Sequence, residues 1–194
     1  MAKLNIASWV DCTEVEGPGK RFALWVQGCQ RHCPGCCNPQ FFDFISKNVV
    51  DASFVCELIK KSHTENGIEG ITLLGGEPVL QAKGLSEVAM FCREMKLSVM
   101  TFTGYTLTDL LAEHIPYVDE LLQYTDILVD GHFDKDNPET VRNWVGSTNQ
   151  SFHFLTDRYK SGIEYDERFS HGFELRIKTD GTLTSNGFPM VLLK

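Results

Sequence analysis

Long hydrophobic runs are missing from this chain. No stretch approaches the roughly 18 consecutive apolar residues of a membrane-spanning helix. Met1 to Val10 carries one lysine and no long apolar core, so it does not read as a secretory signal, and a cytoplasmic setting without membrane attachment is expected. Basic charge is also scarce: 18 Lys and Arg stand against 26 Asp and Glu, a net charge of −8. That balance argues against general nucleic-acid binding, which needs a basic face. No repeat, low-complexity tract or linker rich in Pro, Gly or Ser interrupts the sequence, which predicts a single domain over residues 1–194. The histidines His63, His114, His132, His153 and His171 lack any ligand spacing such as H-x3-H. Cysteine stops at Cys92, so no second, ferredoxin-like cluster domain is encoded after it.

What the chain does have is cysteine in its first half: Cys12, Cys29, Cys33, Cys36, Cys37, Cys56 and Cys92. With apolar residues at 42% and charged ones at 23%, the sequence is that of a globular protein rather than a disordered one. An odd number of cysteines without a secretory signal speaks against a disulfide scaffold and for a reducing compartment. Clustered cysteines there mean metal or redox chemistry. Cys56 and Cys92 fall on or beside apolar helical faces, where a small buried thiol is the ordinary outcome. Cys12 is isolated and is read the same way.

From Arg21 to about Asp130, strand-like and helix-like segments alternate. Phe22–Gln27, Gly70–Leu74, Leu97–Phe102 and Ile127–Val129 read as strands. A helix follows Asp51 and ends before Gly67. A second carries Leu85, Val88, Ala89, Cys92 and Met95, and a third starts near Thr108 and breaks at Pro116. The alternation predicts an α/β fold with a parallel sheet and its chemistry at the C-terminal ends of the strands. Too few units are present for a closed barrel of eight, so a partial, open (β/α) barrel is expected. Asp180-Gly181 between Glu174–Lys178 and Thr182–Ser185 predicts a C-terminal β-hairpin that completes or covers one sheet edge.

Cys29, Cys33 and Cys36 form C-x3-C-x2-C in the loop after the first of these strands. Three thiolates on a 4Fe–4S cluster leave one iron open to bind a substrate. A structural zinc site would need a fourth ligand, from His32, Cys37 or a distant residue. Spacing alone leaves both readings standing. At the end of the second strand, Gly75-Gly76-Glu77-Pro78 reads as a tight turn or as a ligand site. Glycines let a backbone approach closely, and a carboxylate suits an ammonium group.

Taken together, these motifs resemble the radical S-adenosylmethionine (SAM) enzymes, whose GGE motif holds the SAM amino group. Further blocks resemble the activating enzymes of glycyl-radical enzymes, and among them the activases of anaerobic, class III ribonucleotide reductase. These blocks are Glu16-Gly17-Pro18-Gly19-Lys20-Arg21, Val26 to Cys36 with Asn38, Thr103-Gly104-Tyr105, Thr125 to Gly131, and Trp144 with Gly146 to Gln150. The resemblance covers about residues 16–152. It implies a radical SAM barrel core over about 16–155 with an extension over about 156–194. It also implies a 4Fe–4S cluster on Cys29, Cys33 and Cys36, with SAM contacted by Gly75, Gly76, Glu77, Pro78, Thr103, Gly104, Asp130 and Asn149. No side-chain acid or base is required. The implied reaction is reductive cleavage of SAM, with the 5′-deoxyadenosyl radical forming a glycyl radical on a partner, anaerobic ribonucleoside-triphosphate reductase. Flavodoxin or ferredoxin is the implied electron donor.

Three positions depart from the family pattern. Gly35 stands where most radical SAM loops carry an aromatic residue, Cys37 where these activases place one, and Val145 where an arginine is common. Asp130 has a second reading as a cap of the following turn, and Asn149 and Gln150 as turn residues. Lys20 and Arg21 are expected at the surface, solvated or facing an acidic partner. Two other readings stay open: a radical SAM enzyme acting on a small molecule or peptide, of the 7-carboxy-7-deazaguanine synthase type, and a zinc-binding interaction module.

Overall fold

The computed structural model describes residues 1–169, 172–177 and 179–187. Its frame is a mixed seven-stranded sheet built from β1 (Lys3–Thr13), β2 (Arg21–Val26), β3 (Asn48–Asp51), β4 (Gly70–Gly75), β5 (Ser98–Phe102), β6 (Ile127–Asp130) and β7 (Ser151–Phe154). The strand order is β3-β1-β2-β4-β5-β6-β7. The inner run β2-β4-β5-β6 is parallel, whereas β1, β3 and β7 pair antiparallel at its flanks. The four parallel strands are the four apolar runs of the sequence. The flanking strands carry too much polar sequence to stand out: β1 is KLNIASWVDCT, β3 NVVD and β7 SFHF.

The helices are α1 (Ala52–Asn66), α2 (Ala82–Glu94), α3 (Leu107–Glu113) and α4 (Val118–Gln123). Gly67 ends α1 in the left-handed region at φ 67°, its N–H donating to His63. Asp51 precedes α1 in extended backbone but caps no N–H; its carboxylate pairs with Lys3 Nζ at 2.8 Å. Thr106 and Asp109 cap α3 reciprocally, one residue ahead of the expected start. All four helices cover one face of the sheet. There Phe22, Leu24, Val26, Ile71, Leu73 and Val99 meet Val55, Ile59, Leu85, Val88 and Leu121 in the main core. Cys92 is fully buried within it, and Cys12 and Cys56 pack against it, as their setting in the sequence predicts.

Among the described residues no α-helix lies over the second sheet face. Phe41 covers Ala23 and Trp25 on one side. On the other side Val145 and Trp144, from the long β6–β7 connection, cover Met100, Ile127 and Val129. Trp25 pairs with Leu74 and Phe102 with Val129, so one apolar row crosses this face near the C-terminal strand ends. Leu74 and Phe102, between the two covers, remain half-buried.

The structure corrects one expectation and narrows another. Arg21 is not a surface residue: it is fully buried at the N-terminal end of β2, the end away from the cysteine loop. Its guanidinium donates to Thr72 Oγ1 at 2.6 Å, Ser98 Oγ at 2.9 Å, Pro18 O at 3.0 Å and the Ile71 carbonyl. Those acceptors come from the turn before β2 and from the starts of β4 and β5, so the side chain ties these elements together. Lys20 does stay exposed, at that same end. The C-terminal hairpin forms, as β8 (Phe173–Ile177) and β9 (Leu183–Gly187), with Lys178 outside the described residues. It is a separate two-stranded sheet rather than an extension of the main one. It docks on the end of β1 and the turn after it: Arg176 donates to Cys12 O at 3.1 Å, Asn186 Nδ2 to Thr13 Oγ1 at 3.0 Å and Gly187 N–H to Glu16 Oε1 at 2.7 Å.

Candidate functional site

The C-terminal end of β2 runs directly into the cysteine loop. Gly28 and Cys29 donate their N–H groups to Phe41 O and Phe42 O, both at 2.9 Å, which closes the loop at its base. Cys29 is buried, Cys33 and Cys36 are half-buried and Cys37 is exposed; all are free thiols. Cys36 N–H donates to Cys33 O at 3.1 Å, so the last two cysteines of the motif share a tight turn. A hydrogen bond from Cys37 and one from the Asn38 N–H outweigh burial and pull the Cys36 thiol down to about 6. His32 is exposed and stacks on Phe42, with ring centroids 4.8 Å apart.

The Gly75 to Pro78 block is packed against this loop. Gly76 N–H donates to Val26 O at 2.7 Å and Glu77 N–H to Gly28 O at 2.8 Å. A Cβ on Gly76 would lie 2.3 Å from Gly28 O, and one on Gly75, at φ +103°, 2.5 Å from Val26 N. Only glycine permits this approach. Pro78 opens a single 3-10 turn, Pro78–Gln81, whose first free N–H is accepted by Glu77.

The Glu77 side chain turns inward and is 1% exposed. Its carboxylate accepts from Thr103 Oγ1 and Gly104 N–H, each at 2.8 Å, and so spans from the end of β4 to the end of β5. Burial raises its pKa to about 7 against the pull of those hydrogen bonds. Thr103 and Gly104 thus meet Glu77 through the chain's own hydrogen bonds. Asp130 is also buried; its Oδ2 accepts from Leu107 N–H at 2.5 Å and lies 2.9 Å from His153 Nε2. Asp130 thus caps the start of α3 rather than the turn that follows it. Asn149 is exposed and donates to His132 O at 2.8 Å, while Gln150 Oε1 accepts from Gly146 N–H at 2.9 Å, so both brace a turn.

Several rim residues lie inside the motif blocks but were given no role of their own there. Gln27, two residues before Cys29, is buried and donates to Asp43 O at 2.7 Å, but its Oε1 has no hydrogen-bond partner among the described residues. Gln30 donates to the Tyr105 hydroxyl, and the Arg31 guanidinium lies over the Tyr105 ring, 4.7 Å from its centroid. The β6–β7 connection reaches the loop at Gly35. This residue has φ +77°, and a Cβ on it would lie 3.1 Å from Lys135 Cβ and 3.6 Å from Phe133 Cε1. The place of the missing aromatic residue is thus crowded from outside by Phe133 and Lys135.

The donor set fits a cluster. Three uncombined thiols sit at one strand end, with an unpaired buried acceptor, Gln27 Oε1, nearby. Among the described residues no group of three or more His, Cys, Asp or Glu side chains is placed to hold a single metal ion. A cube of iron and sulfide gives each thiolate its own iron and spreads the sulfurs further apart.

Comparison with known proteins agrees with this geometry. Residues 15–153 match the family described as "4Fe-4S single cluster domain". The chain is similar to the "Anaerobic ribonucleoside-triphosphate reductase-activating protein" of Pasteurella multocida, at 30% identity over 79% of this chain and 99% of that protein. It is 32% identical to the protein of that name from Enterobacteria phage T4, over 75% of this chain and 91% of the relative. The corresponding Escherichia coli K12 protein is 31% identical over 78% of this chain and 99% of its own length.

Proposed function

The chain belongs to the 4Fe-4S single cluster domain family and to the reductase-activating proteins, and from that premise we propose how it works as an iron–sulfur radical SAM activase. Its protein partner is anaerobic ribonucleoside-triphosphate reductase, on which it generates a glycyl radical. The observation that carries this reading is the free Cys29, Cys33 and Cys36 on a loop clamped at a strand end, inside the matched 15–153 segment. No helix is long and apolar enough to cross a membrane among the described residues.

In this reading Cys29, Cys33 and Cys36 would hold the 4Fe–4S cluster, and when bound it would supply the reducing electron for cleavage of SAM, the chemistry by which one hydrogen atom would be taken from the target glycine. The chain's own residues shape and shield the place where this happens. Gly75, Gly76, Pro78, Thr103 and Gly104, at the strand ends, would contact SAM. Glu77, Asp130 and Asn149 hold those strand ends in register through the hydrogen bonds described above. The apolar row of Trp25, Leu74 and Phe102 keeps water from the reacting carbon. The sheet acts as an open, partial barrel, and the half-buried Leu74 and Phe102 leave the gap by which a glycine loop enters. Flavodoxin or ferredoxin supplies the electron in a reducing cytoplasm.

The test is anaerobic. Protein reconstituted with iron and sulfide, given SAM and a strong reductant, should release 5′-deoxyadenosine and methionine in equal amounts. Addition of the reductase should couple this release to radical formation. A protein that retains zinc in place of iron, or cleaves no SAM, would defeat the reading.

A further inference from the structure

The cysteine loop is closed at its base through Gly28 and Cys29, and at its far end Cys36 N–H donates to Cys33 O and Asn38 N–H to Cys36 Sγ at 3.4 Å. Its middle is held from outside. Gln30 and Arg31, between Cys29 and Cys33, both reach the same residue, Tyr105. Gln30 Nε2 donates to the phenol hydroxyl, and the Arg31 guanidinium stacks 4.7 Å from the ring centroid. Gly104 makes room for this contact, because a Cβ there would lie 3.0 Å from Arg31 Cγ.

Tyr105 is itself firmly placed, with 3% of its surface exposed. Its N–H donates to Thr103 Oγ1 at 3.2 Å and its carbonyl accepts from Gly131 N–H at 2.8 Å. Thr103 and Gly104 are bonded to Glu77. One aromatic side chain thus passes the positions of three strand ends, β4, β5 and β6, to the middle of the cysteine loop. The Gln30 bond is directional and fixes the loop along one axis, while the Arg31 contact is face-on and fixes its height above the ring.

We propose that Tyr105 is a positioning residue for the cluster: through Gln30 and Arg31 it holds the Cys29–Cys33 segment in the geometry that retains iron. This rests on the reading that Cys29, Cys33 and Cys36 carry the cluster. Tyr105→Phe keeps the ring under Arg31 and removes the bond to Gln30, Gln30→Ala removes that bond from the other side, and Tyr105→Leu removes both contacts. The measurements are iron release to a chelator from anaerobically reconstituted protein, the electron paramagnetic resonance (EPR) spectrum of the reduced cluster, and the melting temperature of the iron-free form. Tyr105→Phe and Gln30→Ala should each release iron roughly three- to tenfold faster, the worth of one side-chain hydrogen bond. The double variant should release it no faster than either single one. Tyr105→Leu should be faster still and broaden the EPR signal, and the melting temperature of the Gln30→Ala form should match the parent. Parental iron release in Tyr105→Phe and Gln30→Ala, or fully additive effects, would overturn the proposal. A parent protein that assembles no four-iron cluster would overturn the reading of the cysteine loop, and this inference with it.

Discussion

Arg21 shows how much a single residue can hide. A charged side chain next to a lysine reads as surface, because burying a guanidinium requires acceptors for its five N–H donors. Here Pro18, Ile71, Thr72 and Ser98 supply them, and three of those four lie 50 or more positions away in sequence. No local pattern announces such a set. Among the described residues no carboxylate bonds the guanidinium, so its charge rests on these neutral oxygens. Arg21→Met should leave these buried acceptors unpaired, and an unsatisfied buried acceptor costs about 1–3 kcal/mol. Urea unfolding of the variant should show that fall, with iron per folded molecule unchanged. The cysteines divide equally sharply. Cys29→Ala, Cys33→Ala and Cys36→Ala should each abolish the cluster, whereas Cys12→Ala, Cys56→Ala and Cys92→Ala should retain full iron. Full iron in Cys36→Ala would reassign the ligand set.

Among the elements, the four parallel strands were legible as apolar runs, and α1 as a periodic segment between Asp51 and Gly67. The antiparallel flanks were not. β3 is four residues long, and β7 shows no strong alternation. Both are defined by long-range pairing with β1 and β6, which sequence periodicity does not report. The candidate site was legible where glycines and cysteines punctuate strand ends. Its internal hydrogen bonds, such as Glu77 to Thr103 and Gln30 to Tyr105, were not, since side-chain direction is set by packing.

The hairpin carries its own prediction. Glu16, beneath β9, accepts from Gly187 N–H, and burial raises its carboxyl pKa to about 7 from an ordinary 4.5. Between those two values the folded state holds a proton that the unfolded chain has lost, so stability falls as pH rises through that window. The Glu16 contribution is on the order of 3 kcal/mol across it. Glu16→Gln should flatten the stability profile between about pH 5 and 7 relative to the parent. An unchanged slope would mean that Glu16 is not the titrating group.

The whole molecule has two ends with different tasks. At the C-terminal strand ends, glycines and short hydrogen bonds draw the cysteine loop, the Glu77 turn and the Tyr105 loop together. At the other end, Arg21 locks the sheet, and the hairpin, which lies outside the matched 15–153 segment, docks by polar contacts. In the proposed function the first end makes a radical on another protein. To test this, the reconstituted, reduced protein is mixed with SAM and anaerobic ribonucleoside-triphosphate reductase and the EPR spectrum is recorded. The expected signal is a doublet from one α-hydrogen of a glycyl radical on the reductase, absent when Cys33→Ala protein replaces the parent. A cluster-replete protein that cleaves SAM yet gives no such doublet, and instead abstracts hydrogen from a small metabolite without any macromolecular partner, would contradict it.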